Sequence, residues 1–328
     1  MTAFKRITAL LEGGQTDRPA RSLWKHFPIV DQRADSLAER TIDFQRRYDW
    51  DFVKICHNGL YSIEDWGSEI RWPGHELERG EVIRFGIGSA TDWERLEPLG
   101  TEAGALGREL AVVRRVAEHF AGEVPVLATV FSPLTTAIKM RGERLFEDFE
   151  SNPEALRHAL TVITDTTVRF ATEVMRAGAD GIFFATQLAT RDRLSVDQYH
   201  EFGREFDLPV LEAAGAGWFN LLHIHGDDPM IDKLADYPVA ALNWHDRRST
   251  ASLDQVRKLS DKLFVGGVDE VGVLGQVGTP GDTAEERLAT HLREAIEAAG
   301  GGLVLGPGCV VPLDVTEEAI RMVSDFRG

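Results

Sequence analysis

Cysteine is nearly absent: Cys56 and Cys309 are the two in 328 residues. That is too few for a disulfide framework and suits a reducing cytoplasm. Basic charge is also short, since 36 Lys and Arg face 53 Asp and Glu for a net charge of −17. With no cluster of cations to neutralise phosphates, binding of nucleic acid through a basic surface is argued against. Long hydrophobic runs are missing too. Nothing approaches the roughly 20 apolar residues that cross a bilayer, and the opening MTAFKRITALLEGGQTDRPA carries charges where a signal peptide has an apolar stretch. No linker or low-complexity segment interrupts the chain. The expectation is a cytoplasmic protein without membrane or nucleic-acid partners, and its 43% apolar residues suffice for a large core.

What is present is an alternation. Eight short apolar runs, at residues 21–25, 51–55, 124–130, 180–185, 218–222, 239–244, 262–265 and 302–305, are separated by helical patterns. Several are continuously hydrophobic, as parallel strands buried on both faces are. Ser36 with Glu39, Ser151 with Glu154, Ser195 with Gln198, Ser252 with Gln255 and Thr283 with Glu286 have capping-box spacing. Helices predicted over 151–178 and 282–299 end in glycine just before a strand. Strand and helix alternating eight times predict a (β/α)₈ TIM barrel, one domain over residues 1–328, with an insertion after strand 2 at about 57–98. Two short alternating runs in the insertion are suited to pairing as a hairpin or capping the barrel mouth. A doubly wound sheet is the structural alternative, but Gly300–Gly308 does not complete a GxGxxG.

In a barrel, functional residues stand at the C-terminal strand ends. The residues there are His26, His57 with Asn58, Phe131 with Ser132, Gln187, His223 with His225, His245 with Asp246, Asp269, and Cys309. Five of the ten histidines fall on this rim. His223 and His225 are two apart and share one face of an extended strand end. Together with Cys309 they offer three borderline-soft ligands with a fourth position open, the pattern of catalytic zinc. Spacing alone equally suits ordinary histidines and a buried thiol. His26, His57, Gln187, His245 and Asp269 are candidates to position a substrate or carry protons, or they are generic rim residues. Trp24, Trp218, Phe219 and Trp244 read as barrel wall, Cys56 as a buried small hydrophobe, and Asp246 with Arg247 and Arg248 as a solvated ion pair.

The segments RITALLEGGQTDRP at Arg6–Pro19, AGADGIFFATQ at Ala177–Gln187, LSVDQYHEF at Leu194–Phe202, LLHIHGD at Leu221–Asp227, VGGVD at Val265–Asp269 and GGLVLGPGCVVP at Gly301–Pro312 together resemble the uroporphyrinogen decarboxylase superfamily. The resemblance runs in order over nearly the whole chain. It implies a (β/α)₈ barrel and one of two chemistries, metal-free decarboxylation or zinc-dependent methyl transfer between corrinoid and thiol substrates. The decarboxylases carry an RQAGRY-like arginine motif after the first strand; here that stretch reads LWKHFPIVDQRAD, without paired arginines. The methyltransferases carry His-x-Cys and a later Cys in a GxGC-like turn, positions matched by His223 and Cys309, with His225 where they have cysteine. Imidazole for thiolate removes a negative charge from the metal shell and leaves Zn²⁺ a stronger Lewis acid.

The expectation is therefore a zinc-dependent methyl or alkyl transferase acting on a small thiol or methylated substrate. His223, His225 and Cys309 are its catalytic and metal residues; a corrinoid carried on a partner protein and a homodimer are what the resemblance implies. A metal-free decarboxylase or lyase and a non-catalytic barrel binding a tetrapyrrole or other small ligand are the alternatives.

Overall fold

The computed structural model describes residues 1–277 and 284–328. Its strands are β1 Ala20–Arg21, β2 Val53–Ile55, β3 Glu69–Arg71, β4 Glu81–Arg84, β5 Val126–Phe131, β6 Gly181–Thr186, β7 Leu221–Ile224, β8 Ala241–Trp244, β9 Leu263–Val268 and β10 Leu303–Pro307. Eight form one sheet in the order β1-β10-β9-β8-β7-β6-β5-β2, and every neighbouring pair is parallel. With helices between successive strands, this is the (β/α)₈ TIM barrel that the alternation predicts. Strands β5, β6 and β9 are buried along their full length, which is why their sequences are continuously apolar and not alternating.

Each predicted run overlaps a strand, but the ends move. The first run is strand only at its start: Ser22 N still donates to Leu305 O (2.9 Å) and Val311 N to Trp24 O (3.1 Å), without a continuing ladder. β7 begins three residues later than expected because Trp218 to Asn220 serve the turn before it; the Asn220 side chain donates to Ala214 O (2.9 Å) and accepts from Ile182 N (2.9 Å). This shift places His223 within the strand and not after it.

The barrel closes between β1 and β2 without a ladder. Asp51 N donates to Arg21 O (2.9 Å), Arg21 N to the Asp51 carboxylate (2.8 Å) and Ser22 Oγ to Phe52 O (2.8 Å). The fully buried Asp51 carboxylate also holds Arg6 and Arg18, which ties the N-terminal helix Ala3–Leu11 to the seam. Paired and hydrogen-bonded on several sides, the charge is tolerated in the interior.

Capping boxes form at Ser195 with Gln198 and at Ser252 with Gln255. Ser36 instead lies inside a helix that starts at Ala34. Ser151 ends one helix, with Oγ turned back to Glu147 O (2.8 Å), and the next begins at Pro153 behind Asn152. Thr283 lies outside the described residues. The insertion contains the antiparallel hairpin β3–β4. Among the described residues no helix is long and apolar enough to cross a membrane.

Candidate metal centre and cavity

At the C-terminal end of the barrel four side chains converge. One ligand atom each from His223, His225, His245 and Cys309 lies within 4.8 Å of all the others. Strand register produces this. His223 sits on β7, and His225, whose N–H extends the pairing to Thr186 O (2.9 Å), projects from the same face two residues on. His245 directly follows β8, and Cys309 follows β10 in a turn that packs against β8. Only glycine fits before that cysteine: a Cβ on Gly308 would stand 2.8 Å from His245 Cα and 3.0 Å from Trp244 O.

Asn243 decides which nitrogen of His223 is free. It is the register partner of His223 on β8, and its amide nitrogen donates to Val265 O (2.7 Å) and Pro307 O (2.9 Å). Both amide protons being taken by carbonyls, Oδ1 faces His223 Nδ1 at 2.6 Å as an acceptor. Nδ1 therefore carries the proton and Nε2 the lone pair, the tautomer that a hydrogen-bonded metal ligand adopts. Phe183 stacks on the ring at a centroid distance of 5.3 Å.

His225 Nδ1 lies 3.9 Å from Cys309 Sγ and 3.0 Å from His245 Nε2. A sulfur and a nitrogen on one tetrahedral zinc are roughly 3.5 Å apart given the usual bond lengths, so this pair is near ligating distance, while the full set, spread over as much as 4.8 Å, would draw together around a metal. The electrostatics fit as well. Burial pushes His223 well below the ordinary histidine range, with His225 and His245 adding to it. Burial likewise lowers His225, and lowers His245 to about 3. All three rings are neutral at pH 7, as ligation requires. Burial raises the Cys309 thiol, so without a cation it stays protonated.

Beside the cluster is a cavity of about 290 Å³, bordered by His223, His225 and Cys309 on one side and by Lys54, Lys139 and Arg79 among others. Lys54 Nζ lies 4.6 Å from the centroid of the Phe183 ring and 3.2 Å from Cys56 Sγ. Lys139 Nζ donates to Gly59 O (2.8 Å) over the face of Phe131, and burial holds its pKa well below the usual lysine value. Asp31, raised to about 6 by burial, is a carboxyl group on the same wall. Arg79, Trp72, Pro73 and Gly80 come from the β3–β4 hairpin and its loop, so the insertion covers the mouth.

The other candidates separate. His26 and Gln187 border the cavity; His26 is pushed well below its ordinary value by burial, with Lys54, Arg79 and Lys139 adding to the effect. His57 also borders it, with Nδ1 2.6 Å from the Glu109 carboxylate and both side chains fully buried. His245 lies in the cluster and behind the cavity wall. Asp269 is among neither group: its carboxylate turns back to accept from Gly272 N (2.8 Å). Glu270, its neighbour, is the buried carboxylate of this corner, pairing with Arg248 and accepting from Gly308 N (3.1 Å). Arg247 does pair with Asp246 (3.6 Å), but Asp246 is not solvated. It is 6% exposed, accepts from Gly267 N (3.0 Å), and burial raises it to about 7. Trp24, Phe219 and Trp244 are buried in the wall, Trp218 is partly buried, and Cys56 is buried and free.

Sequence reasoning missed Asn243, Arg248, Glu270, Lys54 and Lys139. Asn243 and Lys54 left a readable sign, a lone polar residue within an apolar strand; the others left none.

Comparison with known proteins places the molecule. The methylcobamide:CoM methyltransferase MtbA of Methanosarcina acetivorans is 22% identical over 83% of this chain and 78% of its own length. Uroporphyrinogen decarboxylase of Yersinia pestis is 25% identical over 89% of the chain and 82% of its own length. A methyltransferase from Methanosarcina mazei has the same fold, with a TM-score of 0.81, 19% identity and coverage of 99% of this chain and 98% of that one. The family model described as uroporphyrinogen decarboxylase (URO-D) matches residues 15–327, and the chain belongs to that family.

Proposed function

We propose that the chain is a zinc-dependent methyl or alkyl transferase whose metal is held by His223, His225 and Cys309 at the barrel mouth. The observation that carries this reading is the convergence of four neutral or thiol donors within 4.8 Å beside a cavity, in a family whose relatives include methylcobamide:CoM methyltransferases. Zinc would supply Lewis acidity that favours the anionic form of a sulfur or oxygen at its open position. The protein's own residues do the rest. Cys309 and the two imidazoles set the charge of the shell, and Asn243 orients His223. Lys54 and Arg79 give the cavity a cationic side for a substrate with an anionic group, Lys139 adds a buried amine donor, and His26, His57 and Gln187 also line it.

At about 290 Å³ the cavity is near the lower end of small-molecule sites. A corrinoid donor therefore meets the substrate at the rim, where a carrier protein would present it.

The test combines metal analysis with turnover. Protein purified without added metal is expected to hold one zinc per chain, lost in Cys309→Ser and His225→Ala, and to move a methyl group from methylcobalamin to a member of a panel of small anionic thiols. Metal-free protein that releases carbon dioxide from a carboxylated substrate would establish the decarboxylase reading instead. Binding with no turnover on either panel would favour a ligand-binding barrel.

A further inference from the structure

Four donors meet at the cluster, and whether the protein supplies all four to a metal decides whether the centre is closed or open. His245 is the residue in question. Its Nδ1 lies 3.1 Å from Arg248 Nη2. A guanidinium has donors only, so Nδ1 of His245 is an acceptor, and in a neutral ring the proton is then on Nε2. That Nε2–H is the atom aimed into the cluster, 3.0 Å from His225 Nδ1. As the ring stands, His245 presents a hydrogen there and not a lone pair.

Arg248 is not free to leave. It pairs with Glu270, whose side chain is 2% exposed, and the second oxygen of Glu270 accepts from Gly308 N, the residue before Cys309 (3.1 Å). The chain Gly308–Glu270–Arg248–His245 thus runs from the cysteine turn to the ring through a buried carboxylate. For His245 to ligate through Nε2, its proton would have to move to Nδ1 and face the Arg248 N–H groups, and the guanidinium would have to withdraw from its carboxylate. The first change sets donor against donor at a buried ring, and the second leaves the buried Glu270 carboxylate unpaired although Arg248 itself is 37% exposed, so neither is favourable.

We infer that Arg248 is a positioning residue that keeps His245 out of the coordination shell, so that the protein gives the metal three ligands and His245 Nε2–H instead donates to whatever anion takes the fourth position. This rests on the metal reading above and adds to it. A metal on His225 Nδ1 occupies the lone pair to which His245 donates in the structure. Its Nε2–H then needs another acceptor, and an anionic sulfur or oxygen beside the metal provides one. The arrangement selects for an acceptor at the open position and disfavours a neutral group without a lone pair to offer.

Cobalt(II) in place of zinc makes the shell visible by absorption and by X-ray absorption fine structure. Wild type loaded with cobalt is expected to show two imidazoles, one sulfur and one light exogenous ligand, with a spectrum that changes when 2-mercaptoethanol is added. Arg248→Lys, still a donor without an acceptor, should behave the same. Arg248→Met removes the donor, so a third imidazole should enter the shell and the response to thiol should shrink at least several-fold. His245→Ala should keep one metal per chain and the thiol-induced change, with weaker affinity for the thiol. Circular dichroism on each variant confirms folding. A wild-type shell with three imidazoles and no response to thiol overturns the inference while leaving the metal centre standing. A folded wild-type chain that binds no metal overturns both.

Discussion

His223 Nδ1 and Asn243 Oδ1 face each other at 2.6 Å across two adjacent parallel strands, β7 and β8. This contact turns the lone pair of Nε2 toward the cluster, and Asn243 is itself fixed by two carbonyls. Replacing it with leucine strips the proton acceptor from His223 and leaves Val265 O and Pro307 O without that donor. The expected result is a loss of metal affinity of about 10- to 100-fold and a stability loss of about 1–3 kcal/mol. Competition with a chromogenic chelator and urea unfolding measure the two separately; unchanged chelator competition would show that the contact does not orient a ligand.

Gly308→Ala tests the packing of the cysteine turn. The added Cβ meets backbone of His245 and Trp244 at 3.0 Å or less, so the turn must move and take Cys309 with it. Loss of bound metal is expected, with destabilisation of about 1–3 kcal/mol. Gly100, with nothing within 4 Å of its Cβ position, is the control, and its alanine variant should stay within about 0.5 kcal/mol of wild type.

Asp207 gives stability a dependence on pH. Its buried carboxyl accepts from Tyr199 Oη (2.6 Å) and Tyr237 Oη (2.9 Å), yet burial outweighs both and raises it from 3.8 to about 7. Between about pH 4 and pH 7 the folded chain keeps a proton that the unfolded chain has released. Stability from this group therefore falls as pH rises through that window, by about 1.4 kcal/mol per pH unit, and is level above it. The buried, lowered histidines act in the opposite direction, so the informative quantity is a difference. The melting temperature of Asp207→Asn relative to wild type should rise from pH 5 to pH 7 and stay constant beyond; a difference that is flat throughout would show that Asp207 is ionised in the fold.

Asp51→Ala should be the most damaging single change away from the cluster. It leaves Arg6, 3% exposed, with the more exposed Asp17 as its carboxylate partner and removes the carboxylate that joins Arg18 and Arg21 N at the seam. A loss of about 3–5 kcal/mol is expected in chemical denaturation, and a loss below 1 kcal/mol would mean that the seam is held by packing alone.

Much of this was legible in the sequence because strands buried on both faces have a composition of their own. Apolar runs such as VPVLATV and DGIFFA exposed the barrel, and His-x-His with a distant cysteine marked the corner where donors gather. His245 was legible as a rim residue but not as a neighbour of His225, since that proximity depends on the curl between β7 and β8. Asp269 and Glu270 are chemically alike and adjacent; only the backbone turn at Gly272 determines which carboxylate points inward. Ser36 and Ser151 had capping spacing by coincidence, because a tetrapeptide says nothing of where the preceding chain already turned helical.

The two-residue strand β1 pairs with β10, Ala20 against Val304, while its neighbour in the chain, β2, stands at the opposite edge of the ladder. On a ribosome working from the N-terminus, the first stave is made long before the one it must lie against. Arg21 can meet Asp51 early, but on their other side Ala20 and Arg21 have to wait until β10 has emerged. The hoop can be drawn shut only once β10 is out, and the cysteine arrives just behind that same stave, so the donor cluster and the closure of the barrel are completed together.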